Sequence, residues 1–211
     1  MRVWVRQIFD YYMELLTEGG FRSCTIAHDH LSTNRAGYHD MNRVFSALIL
    51  AFSLTTLNAN ATDASGAIGA TSQGGLTARA GLGFNWDKSW LESSTGKLTG
   101  YWDLGYTYWE AGDESGGRHS ISFSPVFVYE FGEGNVKPFI EAGIGVAMFS
   151  GTTAGDQKLG SAFNFEDRIG AGLKIGETQK VGIRAIHYSN AGIKEPNDGI
   201  ESFSLFYSHS I

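Results

Sequence analysis

Seven stretches of this chain alternate residue by residue between apolar and polar or small side chains, and five of them run for eleven residues or more. A period of two sends successive side chains to opposite faces of a strand, so the pattern commits the chain to β-structure with one apolar and one polar face. In 76–86 the apolar face is Leu76, Ala78, Ala80, Leu82, Phe84 and Trp86, set against Thr77, Arg79, Gly81, Gly83 and Asn85. In 98–108, Leu98, Trp102, Leu104, Tyr106 and Tyr108 oppose Asp103, and in 121–131, Ile121, Phe123, Phe127, Tyr129 and Phe131 oppose Ser122, Ser124 and Glu130. The runs 136–148, 159–175, 181–185 and 203–211 continue the theme, and a weaker strand at 64–70 brings the expected number to eight.

A soluble sandwich turns its apolar face inward, whereas a membrane barrel turns that face to lipid around a polar lumen. The polar faces carry Arg79, Asp103, Glu130, Glu141, Glu166, Arg168, Lys174 and Arg184, charges of both signs that can pair inside a narrow barrel. Aromatics such as Trp86, Trp102, Tyr106, Tyr108, Phe131 and Tyr207 gather towards strand ends, as interfacial girdles do. Strands of this length suit a tilted membrane crossing. The connections 132–135 and 177–180 are short, while 110–119, 150–158 and 190–199 are longer, the asymmetry of periplasmic turns and extracellular loops. The connection 87–97 falls on the short side yet is long, and the alternation offers no account of it. The expected fold is all-β: an eight-stranded antiparallel transmembrane β-barrel of the outer membrane, formed by residues 62–211.

The beginning of the chain has another character. Residues 1–40 hold Cys24, which is the single cysteine, and His28-Asp29-His30, with no sustained period and no further ligand at a metal-like spacing. From Met41, a positive Arg43, an apolar run over 44–57 and Ala59-Asn60-Ala61 make up a secretory signal peptide with its cleavage site. Residues 1–40 are therefore expected to be an over-extended start outside the fold, 41–61 the signal, and Thr62 the approximate mature N-terminus. Acidic and basic residues balance over the first 61 positions, so the net charge of −6 falls on the barrel segment and gives no support to nucleic-acid binding. That segment lacks cysteine and must be stable in an exported setting without disulfides.

The last two runs meet at a loop rich in Gly, Asn, Asp and Pro, and there His187, Ser189 and Glu201 share the apolar, outward face. Val181, Ile183 and Ala185 set that face on one strand, and Phe203, Leu205 and Tyr207 set it on the next. Ionisable groups on the lipid side of a barrel are costly and point to function, although strand ends that stand clear of the bilayer would simply meet water. As chemistry, His187 is a base for the Ser189 hydroxyl, Glu201 holds the imidazole, and an oxyanion donor comes from Asn190, Asn197 or loop N–H groups. An outward site of this kind suggests a substrate embedded in the outer leaflet.

The block His187-Tyr188-Ser189-Asn190-Ala191-Gly192, followed by Pro196-Asn197-Asp198-Gly199-Ile200-Glu201, resembles the lipid A 3-O-deacylases of the PagL type. The likeness extends through Thr99-Gly100-Tyr101-Trp102-Asp103, Pro125-Val126-Phe127-Val128-Tyr129-Glu130-Phe131, Lys137-Pro138-Phe139-Ile140-Glu141 and Asn164-Phe165-Glu166-Asp167-Arg168-Ile169-Gly170. It includes none of residues 1–40. The resemblance implies an outer-membrane barrel that hydrolyses the 3-position hydroxyacyl ester of lipid A, with catalytic Ser189, His187 and Glu201. It places the oxyanion Asn at Asn197 and a further motif Asn at Asn190, and it implies no metal or other cofactor. The expected partners are lipid A or lipopolysaccharide as substrate and outer-membrane lipids, with a homodimer left open. Ile211 stands where such barrels usually end in an aromatic.

Other motifs carry less. Gly112-Asp113-Glu114-Ser115-Gly116-Gly117 reads as a solvated turn, Asp113, Glu114 and Asp156 as a candidate cation site at the rim, and His209 as an interfacial side chain. The rival function is a non-enzymatic barrel for adhesion, structure or small-solute passage. An eight-stranded lumen filled by side chains argues against passage.

Overall fold

The computed structural model describes residues 62–211. The readings of residues 1–40, of His28-Asp29-His30 and of the signal at 41–61 lie outside the described residues. Eleven strands follow in order: β1 (Asp63–Ala70), β2 (Leu76–Asn85), β3 (Trp90–Ser93), β4 (Gly96–Trp109), β5 (Arg118–Phe131), β6 (Val136–Phe149), β7 (Thr153–Ala154), β8 (Gln157–Lys158), β9 (Phe163–Ile175), β10 (Gln179–Ser189) and β11 (Ile200–Ser210). Eight of them, β1, β2, β4, β5, β6, β9, β10 and β11, pair antiparallel with their neighbours around a ring. The ring closes because β1 pairs on one side with β11, Asp63 opposite Ser210, and on the other with β2, Ala70 opposite Leu76. Closure leaves the barrel wall without an open edge, which matters where no water can satisfy unpaired backbone groups.

The alternation maps onto inside and outside as its polarity requires. All eight charged residues expected in the lumen are buried, whereas Leu82, Leu104, Ile121, Ile140, Ile144, Ile169, Leu173, Ile183 and Leu205 are exposed on the outer wall. At about 3.3 Å per residue, the fourteen-residue strands β4, β5 and β6 each reach roughly 46 Å. Tilted by about 40°, they cross an apolar band of about 25 Å with length to spare. Strand ends therefore project beyond that band at both rims.

One rim carries the short turns 132–135 and 176–178, and the other carries 71–75, 110–117, 150–162 and 190–199. The connection after β2, unexplained by alternation, is an extension of the wall. Strand β4 continues past the end of β2 to Gly96, and β3 folds back on it with Trp90 opposite Leu98 and Ser93 opposite Gly96. Trp86 is held there edge-on to Trp90, Trp102 and Phe127, at ring-centre distances of 6.0, 5.9 and 5.0 Å. The run expected to begin at residue 159 begins as a strand at Phe163. Leu159 instead turns inward and is fully buried among apolar side chains beneath the long-loop rim.

The lumen is less uniformly polar than alternation suggested. It is layered. Under the long loops lie Trp109, Phe149, Leu159, Ile186, Tyr188 and Ile200, and the opposite half holds Tyr101, Val126, Val128, Phe139 and Phe206. Large apolar rings on the inward face seal the ends, and the charges between them are consumed by pairing. Arg168 Nη2 donates to Asp103 Oδ2 at 2.6 Å and to Glu166 Oε1 at 2.7 Å, Arg79 pairs with the same Asp103, and Arg184 Nε reaches Glu141 Oε1 at 2.6 Å. A lumen cavity beside Asp103, Glu141 and Arg184 measures about 20 Å³, room for about one water molecule.

Candidate active site

The hairpin of β10 and β11 pairs Ile186 with Ser202, His187 with Glu201 and Tyr188 with Ile200. Opposed residues on adjacent strands share a face, so His187 and Glu201 stand side by side on the outer wall at the long-loop rim. Their contact is direct. His187 Nδ1 lies 3.1 Å from Glu201 Oε1. A carboxylate can only accept, so Nδ1 is the donor of the pair and Nε2 stands outside this bond. Both side chains are about one quarter exposed, at 26% and 27%. They are desolvated enough for the interaction to be directional and open enough to be reached from outside.

Ser189 ends β10 on the same face as His187, paired with Phe165 of β9. Among the described residues, its hydroxyl takes no hydrogen bond. The structure thus brings His187 and Glu201 together and sets the serine beside them without closing the second contact. Catalytic hydrogen bonds commonly tighten only once substrate is bound.

Tyr188, between the two, points the other way and fixes them both. Its ring is wedged edge-on between Trp109 and Phe149, at 5.4 and 5.3 Å, and its hydroxyl donates to Glu166 Oε2 at 2.8 Å. Arg79 Nη1 donates to the same hydroxyl at 3.3 Å. The lumen network therefore reaches the backbone that carries His187 and Ser189, a link that alternation alone does not reveal.

The loop 190–199 is tied down by asparagines. Asn190 is fully buried, and its Nδ2 donates to Leu159 O and Lys194 O, both at 2.7 Å, while its Oδ1 accepts from Lys194 N at 3.2 Å. Those bonds occupy both ends of its amide, so Asn190 shapes the loop. The side chain of Asn197 accepts from Asn190 N at 3.0 Å through Oδ1. Because a backbone N–H must meet an oxygen, the amide is oriented with Nδ2 turned away from that bond and available as a donor. Asp198 clamps the loop to β8, with Lys158 N donating to Oδ2 and Asp198 N donating to Lys158 O, each at 3.0 Å.

Two residues beside the constellation escaped the reading by residue type. Ser72, in the β1–β2 loop, donates to Glu201 Oε2 at 2.7 Å, a contact between positions 129 apart in sequence that no local signal announces. Gly199 has φ of +68°, and a Cβ built there would lie 2.7 Å from His187 Cε1. The Asp198-Gly199 pair ahead of a strand signals a turn, but not a glycine that supports an imidazole. Gly199→Ala would strain the backbone and displace the ring. We expect a loss of activity of roughly 10²-fold, the scale of a 1 Å misplacement of a catalytic group, with the heat-modifiable electrophoretic mobility of the folded barrel retained. An active Gly199→Ala barrel would show that the ring does not depend on this contact.

The remaining candidates do not converge on the site. Asp156 Oδ1 accepts from Glu114 N at 3.2 Å and Glu114 Oε2 pairs with Lys158 Nζ at 3.7 Å, so these acids cap and bridge loops. Among the described residues, no group of three or more His, Cys, Asp or Glu is arranged to hold a metal ion. Gly112 N and Ser115 O close the turn between β4 and β5 at 2.9 Å. His209 lies on the outer wall towards the short-turn rim, stacked on Tyr207.

The family profile lipid A 3-O-deacylase (PagL) matches residues 72–210. The chain belongs to the lipid A 3-O-deacylase (PagL) family. It is 68% identical over 155 residues to the lipid A deacylase PagL of Pseudomonas aeruginosa, covering 74% of this chain and 90% of that one. It is 36% identical over 151 residues to the lipid A deacylase PagL of Bordetella bronchiseptica, covering 65% of this chain and 83% of that one. The crystal structure of the outer membrane enzyme PagL superposes with a TM-score of 0.70 at 70% identity, over 71% of this chain and 99% of that one. The expected fold and family are both borne out: this PagL-family member is a closed eight-stranded antiparallel outer-membrane barrel.

Proposed function

We propose that this deacylase-family barrel removes the 3-position hydroxyacyl chain of lipid A by a serine-esterase mechanism, at the outer-leaflet face of the outer membrane. The observation that carries the reading is the His187–Glu201 pair, hydrogen-bonded at 3.1 Å on the outer wall, with Ser189 one strand-repeat away on the same face. A pore or adhesin has no use for a hydrogen-bonded ionisable pair there. Long loops face outward in outer-membrane barrels, so the rim that carries these residues faces the lipopolysaccharide leaflet. The wall along the same strands supports a lipid substrate: Ile140, Ile169, Ala171, Ile183, Ala185 and Phe203 line an apolar groove of about 770 Å³. Ala185 and Phe203 are the outward residues next below His187 and Glu201, so an acyl chain in the groove brings its ester towards the rim.

The chemistry then follows. His187 Nε2 takes the Ser189 proton as Oγ bonds to the ester carbonyl carbon, and Glu201 offsets the charge gained by the ring. The carbonyl oxygen becomes an oxyanion, and Asn197 Nδ2 donates to it. Collapse breaks the bond to the sugar 3-oxygen, which leaves with the proton from His187, and the hydroxyacyl group stays on Ser189. Water, deprotonated by His187, repeats the sequence and releases a hydroxy fatty acid while the proton returns to Ser189. No metal or other cofactor enters.

Asn197→Ala tests the oxyanion assignment. Release of hydroxy fatty acid from purified lipid A by the folded barrel is expected to slow by roughly 10²–10³-fold. An unchanged rate would remove Asn197 from the mechanism. Release of acid from another ester position by the parent protein would overturn the substrate reading itself.

A further inference from the structure

We infer that Ser72 is a fourth, positioning member of the hydrolytic constellation, acting through Glu201; the inference rests on the esterase reading above. Glu201 spends its two oxygens on different partners. Oε1 faces His187 Nδ1 at 3.1 Å, and Oε2 accepts the Ser72 hydroxyl at 2.7 Å. Gln73 Nε2 in turn donates to Ser72 Oγ at 2.7 Å. A carboxylate only accepts, so the Ser72 hydroxyl donates its proton to Glu201 while one of its lone pairs takes the Gln73 amide N–H. The result is a one-way relay of donors, Gln73 to Ser72 to Glu201, that meets the imidazole from the other side.

The loop presenting Ser72 is built to hold it. Strand β1 lies directly beside β11, with Ala70 opposite Phe203, so the residues after Ala70 arrive next to Glu201. Thr71 N donates to Gly75 O at 2.7 Å, Gly74 N to Thr71 O at 3.0 Å, and Gly75 N to Thr71 Oγ1 at 3.1 Å. Gly74 takes φ of +93°, a conformation that L side chains rarely adopt. Three bonds within five residues fix the turn, and Ser72 is its contact with the site.

A carboxylate at a rim has free torsions and competing water, so one hydrogen bond to the imidazole does not set its plane. The second bond does. It also spreads the negative charge over both oxygens and lowers the tendency of Glu201 to swing into solvent. A charge-assisted bond of this kind, here at an exposed position, corresponds to an effect of up to roughly tenfold.

The experiment measures lipid A hydrolysis by folded, detergent-solubilised barrels carrying Ser72→Ala, Ser72→Thr, Glu201→Ala and the Ser72→Ala/Glu201→Ala pair, with Ser189→Ala as control. Ser72→Ala is expected to lower kcat about tenfold with KM little changed, and Ser72→Thr, which keeps a hydroxyl, to restore most of it. In the Glu201→Ala background the same Ser72→Ala change is expected to have no further effect, because its target is gone. A loop that served only to fold the barrel would give the same loss in both backgrounds, and that result overturns the inference. So does full activity of Ser72→Ala while Ser189→Ala is inactive. Activity of Ser189→Ala is a separate failure, which removes the esterase reading itself.

Discussion

Ser189→Ala is expected to lower lipid A ester hydrolysis by at least roughly 10⁴-fold while leaving the barrel assembled. The size follows from what is lost: without the hydroxyl, the path through an acyl-enzyme is closed, and only substrate binding and the oxyanion donor remain to assist a direct attack by water. The structural cost is small, because Ser189 is the last residue of β10 and its hydroxyl takes no hydrogen bond among the described residues. Activity on purified lipid A and heat-modifiable mobility of the same sample separate the two effects. The expected sample is folded and inactive. His187 is in a different position, since its replacement removes both the proposed base and the partner of Glu201. Ser189→Ala is therefore the cleaner probe of the chemistry.

Arg168→Ala is expected to have the largest effect on stability, about 3–5 kcal/mol, by breaking a buried ion network from one side. Arg168 is 4% exposed, and one nitrogen, Nη2, serves both Asp103 at 2.6 Å and Glu166 at 2.7 Å. Its removal leaves Asp103 and Glu166, both buried, with Arg79 as their remaining salt-bridge partner among the described residues. Glu166 also receives the Tyr188 hydroxyl, so the loss should pass to the strand that carries His187 and Ser189. Unfolding in urea from detergent or lipid, followed by tryptophan fluorescence, measures the first effect, and residual activity below the unfolding transition measures the second. A variant as stable as the parent would show that the network contributes little beyond filling the lumen. The wall is favoured by burial of apolar area in lipid, whereas the lumen depends on every charge having its partner.

The wall could be read from the sequence because a membrane imposes the same rule on every strand. Lipid outside and side chains inside force a period of two, and Arg79, Glu141, Arg168 and Arg184 lie buried as that period requires. The rule gives way where the environment changes. Below the short-turn rim the chain is no longer bounded by lipid, so the β3 extension of β4 carried no readable alternation. At the long-loop rim Leu159 left the expected run to pack against Trp109 and Tyr188, since apolar burial is available there from within. The chemistry of the site showed the same divide. His187 and Glu201 were placed on one face by parity, and the hairpin pairs them. Ser72 and Gly199 were silent: one reaches Glu201 across a closure between the first and last strands, and the other leaves room for the imidazole by lacking a Cβ. Neither kind of information is held in a local pattern.

Lipid A in a membrane that contains this protein is the most direct witness to the proposed serine-esterase activity. Mass spectrometry of lipid A from bacteria producing the parent chain, compared with the same cells producing folded Ser189→Ala, measures it directly. With that activity, parent cells lose one hydroxyacyl unit, assigned by fragmentation to the 3-position, and Ser189→Ala cells retain it. Lipid A that is unchanged by the folded parent protein, or equally deacylated by Ser189→Ala, would contradict it.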